Sequence, residues 1–177
     1  MATNGQIGSL VAQQLVVVLS HKPTNITHVV TGFAPDTAVD IERGEDAWSH
    51  IVGTHGFVSR SLNIDETAVV TLHLQQTAND NDILTRLHEY DKSHYRNQGL
   101  FTLSILDKSG RTALFSTTAF ISKPPNQTFG TTVGTQDWVI VMPYADWHIG
   151  GNTLAGAEVQ NALAQLGYKL DDEWKIN

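Results

Sequence analysis

Apolar and polar residues alternate along much of this chain, most clearly over residues 67–77. There Val70, Leu72 and Leu74 fall on one side and Thr71, His73 and Gln75 on the other, the period of two of a half-buried strand. The run Asn79-Asp80-Asn81-Asp82 then supplies capping oxygens and early negative charge. Ile83, Leu84, Leu87 and Tyr90 follow at helical spacing, so the pattern predicts a helix directly after the strand. Residues 100–106 alternate again, with Phe101, Leu103 and Ile105 facing one way and Thr102 and Ser104 the other.

The rest of the chain reads mostly as further short strands. Residues 14–20 and 25–31 form two, joined by a turn at Lys22-Pro23, and a third starts in 38–42 after the strand-breaking segment 32–36. Residues 48–61 place apolar arms on either side of Gly53-Thr54-His55-Gly56, a hairpin signal because glycine takes the positive φ of a tight turn. A second hairpin turn, Asp107-Lys108-Ser109-Gly110, leads into a strand over 113–121 whose polar side is marked by Ser116 and Thr118. Residues 128–136 read as a Gly/Thr-rich loop, 137–142 as the last strand, and 145–151 as a Gly-ended loop carrying Trp147. A second helix is predicted over 154–166, stopped by Gly167, and a charged tail follows with Trp174 in it.

Seven or eight short strands and one clear helix predict a mainly β chain, a sandwich or barrel with one flanking α-helix and a further C-terminal helix. The expected division is a flexible arm over 1–13, a β-domain over 14–152 and an extension over 153–177.

Composition narrows the function. At 177 residues the chain is one domain with a real core. Its charged fraction of 16% is low against about 25% for typical domains, which implies a polar but uncharged surface or one buried in an assembly. The formal net charge of −7 offers no basic footprint for holding nucleic acid. No cysteine is present, which excludes disulfides, thiolate nucleophiles and cysteine metal sites and fits a reducing cytoplasm. Gln13 and Gln14 interrupt the uncharged start, and the apolar run 15–19 is too short to span a bilayer, so neither export nor a membrane is expected.

The search for chemistry returns little. His50 and His55 are five apart and His88 and His94 six, spacings that do not place two imidazoles on one helix face. His73 sits alone on its polar strand face. Neither a nucleophile elbow nor a phosphate-cradling loop occurs. Asp36, Asp40, Glu42, Glu45 and Asp46 cluster as paired glycosidase carboxylates would, although such a run is more commonly a solvated turn. No catalytic residue, metal or cofactor is assigned. Trp138, inside a strand, reads as core. Trp147 and Trp174, in loop and tail, read as anchors for another subunit, a role in which tryptophan is enriched.

Three blocks, taken in order, carry a resemblance. They are Thr31-Gly32-Phe33-Ala34 with Val39-Asp40-Ile41-Glu42 and Trp48…Gly56; Leu72…Thr77 with Asn79, Asn81 and Leu84; and Lys123-Pro124-Pro125 with Phe129-Gly130, Trp138 and 145–152. In this order the chain resembles, over residues 15–152, the tail tube proteins of long-tailed, mainly contractile-tailed bacteriophages.

The resemblance implies a β-sandwich or barrel shared with the type VI secretion tube. Six such subunits form a ring around one inner barrel, and rings stack into a hollow tube through which genome DNA leaves the capsid. It implies a structural virion protein of the tail, assembled in the host cytoplasm. No active site or cofactor is implied, and DNA passes without specific binding. Expected partners are further copies, the sheath, and the tape-measure, baseplate and tail terminator proteins. On this reading Thr71, His73, Gln75, Thr102, Ser104, Ser116 and Thr118 are candidates for the lumen wall. Trp48, His55, Phe57, Trp147 and Trp174 are candidates for subunit or ring contacts. The rival readings are a type VI-like secreted tube subunit, a monomeric carbohydrate-binding sandwich using Trp48 or Trp147, and a glycosidase using the acidic cluster. The stretch after Asn152 matches no known pattern and reads as an outer decoration or a sheath contact.

Overall fold

The computed structural model describes residues 7–176; the first six positions of the arm expected over 1–13, and Asn177 of the tail, lie outside the described residues. Among the described residues ten strands form: β1 (Leu15–His21), β2 (Ile26–Val30), β3 (Val39–Arg43), β4 (Trp48–Val52), β5 (Val58–Leu62), β6 (Ala68–Gln75), β7 (Phe101–Asp107), β8 (Ala113–Lys123), β9 (Thr135–Met142) and β10 (Asp146–His148). Helix α1 (Asp80–Ser93) joins β6 to β7, and α2 (Ala157–Gln165) lies in the extension. The main sheet runs β2-β1-β7-β8-β9-β6-β3, with β10 beside the start of β8, while β4 and β5 pair only with each other.

Alternation dictates how this sheet folds. Val17 and Leu19, Leu103 and Ile105, Val70 and Leu72, and Trp138 and Ile140 are all buried and all belong to one core. A sheet whose strands bury one face each in a single core has folded over on itself. The result is two antiparallel layers, β2-β1-β7-β8 and β8-β9-β6-β3, that share β8. The eleven-residue β8 serves both because it bends. Leu103 lies opposite Ser116 and Phe101 opposite Ala119, so Thr102 of β7 faces two residues of β8, Thr117 and Thr118, a β-bulge that kinks the strand from one layer into the other. Leu84 and Leu87 of α1 complete the core.

Most predicted elements form within a few residues of their expected bounds. The segment expected to be a Gly-ended loop around Trp147 contains β10 instead. Its three residues find ladder partners in Ala113, Leu114 and Phe115, and the Trp147 ring packs against the core. Helix α2 ends as expected at Gly167, which takes φ +79. Gly167 N–H donates to the Ala164 carbonyl and Tyr168 N–H to that of Leu163, the paired bonds that close a helix through a left-handed glycine.

Candidate functional surfaces

The expected lumen residues do not form one wall. Thr71, His73 and Gln75 lie on the outer face of the β8-β9-β6-β3 layer, with Asp40 opposite Thr71, Asp137 opposite His73, and Thr135 opposite Gln75. Thr102 and Ser104 lie on the outer face of the other layer, where Ser104 sits between Val18 and Phe115. Both layers turn their inner faces to one core, so these outer faces look in opposite directions. A single lumen can take only one of them.

Ser116 leaves the candidate set altogether. It is 1% exposed, on the core side with Leu114. Leu114 and Ala119 both need burial but stand five positions apart, which strict alternation cannot satisfy; the bulge between them absorbs the mismatch and leaves Ser116 inside. Thr118 lies in the bulge, where its N–H donates to Ser116 Oγ at 3.3 Å while its own hydroxyl is shielded from solvent without a partner.

His73, expected to stand alone, is held between two carboxylates. Its Nδ1 lies 2.7 Å from Asp137 Oδ1 and its Nε2 3.1 Å from Asp40 Oδ2. Partial burial alone would push the ring's pKa down. Hydrogen bonds to Asp137 and then Asp40, together with their charges, outweigh it and hold the pKa above the usual 6.5. The protonated ring is therefore favoured in the fold. Its contribution to stability is fully present below 6.5 and is lost as pH rises through the raised folded value. His73→Gln should narrow the gap in thermal midpoint from the parent as pH rises through that window. Because both carboxylates are more than half exposed, the gap corresponds to no more than about 1 kcal/mol. A gap that does not change with pH would contradict the bridge.

The β4–β5 hairpin has two unlike faces. Trp48 and Leu62, His50 and Arg60, and Val52 and Val58 pair on one side; Ser49 with Ser61 and Ile51 with Ser59 occupy the other. The Arg60 guanidinium lies 4.2 Å over the Trp48 ring, and Ser49 and Ser61 join their hydroxyls at 2.7 Å. Every residue of both strands is exposed. At the tip Gly56 takes φ +82, as the hairpin pattern requires, beside His55 and a Phe57 that is 79% exposed. A two-stranded ribbon with an uncovered apolar face is marginal in water and marks a surface made for contact.

Of the five expected contact residues, only Trp48, His55 and Phe57 lie on this free hairpin. Trp147 packs on its own core with Arg43 at 5.4 Å from the ring, and Trp174 is held in a 3-10 turn with Arg111 at 5.1 Å.

Asp80 was legible only as helix-capping charge, yet it is 4% exposed and ties three elements together. His28 Nε2 donates to its Oδ1 at 2.5 Å and Gly32 N–H to its Oδ2 at 2.9 Å. Asn81 likewise serves the core: its side-chain carbonyl accepts the Trp138 indole N–H at 2.9 Å.

Residues 26–150 match the family of the bacteriophage PhiTE tail tube protein, well over half of the chain. The chain belongs to that family. A relative from Pseudomonas phage KPP10, "Structural protein ORF10", is 35% identical over 170 residues, which is 96% of this chain and 98% of the relative. Among solved structures, the tube-terminating cap of the anti-feeding prophage is alike in fold, with a TM-score of 0.53 at 10% identity, covering 84% of this chain and 99% of the cap. A looser likeness, TM-score 0.48 at 12% identity over 79% of this chain and 91% of the other, is to the sheath–tube complex of an extracellular contractile injection system in its extended state. This tail tube protein is thus a structural component of the phage virion, with the mainly β fold that the strand pattern predicts. The family match stops at residue 150, so α2 and the tail lie beyond it, while the KPP10 relative is aligned over nearly the whole chain.

Proposed function

We propose that six copies of this tail tube protein close into a ring, that rings stack into a tube, and that the outer face of the β8-β9-β6-β3 layer lines a lumen through which genome DNA passes during ejection. One observation carries the choice of face. Asp40, Glu42, Thr71, His73, Gln75, Thr135 and Asp137 face outward there beside Val69, Val139 and Val141, and the three carboxylates outweigh Lys123, which the end of β8 places opposite Val139. A basic wall would displace counterions and grip phosphates, stalling the strand; an acidic, hydroxyl- and amide-bearing wall stays hydrated and lets it pass. The opposite face mixes Val16, Val18, Val29 and Phe115 with Ser20, Thr27, Thr102 and Ser104 and carries no carboxylate at these positions, a better surface for an outer partner such as the sheath. Ring closure would pair the free edge of β3, the last strand of the sheet, with a strand of the neighbouring copy and so cover an exposed sheet edge. The β4–β5 hairpin provides contacts between copies. Tape-measure, baseplate and terminator proteins belong at the lumen and the tube ends.

Gln75→Arg tests the face. A phage carrying it should assemble normal tails and eject DNA several-fold more slowly, with the delay relieved by added salt. Ser104→Arg, on the opposite face, should leave ejection unchanged. Equal behaviour of the two variants would remove this face from the lumen.

A further inference from the structure

We propose that His73 is a resident counterion of the lumen wall, so that tube assembly takes up protons at its ring and weakens as pH rises. The inference rests on the lumen face proposed above and adds what controls its closure. His73 stands on the middle one of three strands and binds to both neighbours, with Nδ1 2.7 Å from Asp137 Oδ1 of β9 and Nε2 3.1 Å from Asp40 Oδ2 of β3. A neutral imidazole carries one N–H and donates to one carboxylate; only the imidazolium donates to both. The arrangement therefore holds the charged form, its side chain 19% exposed between two acids that are more than half exposed.

The other charged groups on this side leave His73 in an acidic setting. The segment before β3 brings Asp36 to the same cleft, β3 adds Glu42 two positions beyond Asp40, and β6 contributes the uncharged Thr71 and Gln75. Arg43 has the inward parity of Val39 and Ile41 and lies over the Trp147 ring instead. Lys123 of β8, opposite Val139, stands two strand spacings from β6. That is about 10 Å, beyond the Debye length of about 8 Å at physiological salt.

Ring closure sharpens the imbalance. Six copies around one channel set Asp36, Asp40, Glu42 and Asp137 of each beside those of its neighbours, and like charges brought together oppose closure. The added negative field favours the imidazolium, so a pKa that Asp137 and Asp40 already hold above 6.5 rises again in the tube. A group whose pKa rises on assembly binds protons as tubes form. Its help to assembly is fully present below the free subunit's value and is lost as pH climbs through the tube's value. With one such ring per subunit, the critical concentration rises by no more than about tenfold per pH unit.

Pelleting of purified protein at low ionic strength, from about pH 6 to about pH 9, reads the critical concentration across the range of an upshifted histidine. The parent's should rise several-fold, and added salt should flatten the rise. His73→Lys keeps the charge and should stay low and flat; His73→Gln should be high and flat. A parent with no pH dependence, or a slope that survives in both variants, would overturn the inference while leaving tube formation standing. A parent that forms no tubes, or tubes lined by the other layer, would instead sink the reading beneath it. If neither variant folds, proton uptake by the parent decides. Polymerisation in weakly buffered solution near about pH 7 should raise the pH, and no change overturns the inference.

Discussion

Phe57→Asp is expected to leave the tail tube subunit folded and to abolish its polymerisation. Phe57 is 79% exposed at the tip of a ribbon that, among the described residues, pairs with no other strand, so the substitution removes no core packing. Unfolding should shift by no more than about 0.5 kcal/mol, the usual range for a surface site. Assembly is another matter. If the hairpin tip packs between copies as proposed, a carboxylate forced into that contact without a partner costs several kcal/mol, and the cost recurs at every subunit added. Even about 2 kcal/mol per contact raises the concentration needed for growth roughly thirtyfold. Thermal unfolding and sedimentation velocity on the same sample measure the two effects separately. Tubes forming at the parent's concentration would show that the hairpin makes no contact that matters.

Asp80→Ala is expected to cost about 2–4 kcal/mol of stability, the largest effect of any exchange away from the apolar core. The carboxylate accepts from His28 on β2 and from the Gly32 backbone, and both donors lose their partner when it is removed. Gly32 cannot move to compensate. A Cβ there would stand 2.2 Å from the Ala78 Cβ and 2.7 Å from Asp80 Oδ2, so the chain between β2 and β3 is locked against the start of α1. Gly32→Ala should therefore destabilise by a comparable amount through the clash. Urea unfolding of the two variants and the parent checks both. A change under about 0.5 kcal/mol for Asp80→Ala would mean that water replaces the carboxylate without loss.

The strands and α1 were legible because their periods differ, two against three to four, and glycines mark the turns at Gly53, Gly56 and Gly110. What alternation could not give is which outer face a polar residue reaches. Thr71 and Ser104 look alike in sequence, each a hydroxyl between apolar neighbours, yet the fold of the sheet at β8 sends them to opposite sides. The bulge that buries Ser116 depends on pairing with β7, a partner ten or more residues away in sequence. Strand β10 depends likewise on finding β8. The roles of His73 and Asp80 were hidden for the same reason: Asp137 lies 64 residues from His73, and His28 lies 52 from Asp80. The hairpin was different. Its apolar arms around Gly53-Thr54-His55-Gly56 could be read directly, and only its lack of any cover within the chain required the structure.

Helical reconstruction of purified, polymerised protein by electron cryo-microscopy tests the central claim most directly. The account predicts stacked six-fold rings around an open lumen, with Thr71, His73 and Gln75 on the wall and the β4–β5 hairpin reaching the adjacent ring. A tube whose lumen is lined by Val16, Val18 and Ser104, or a chain that stays monomeric at every concentration, would contradict it.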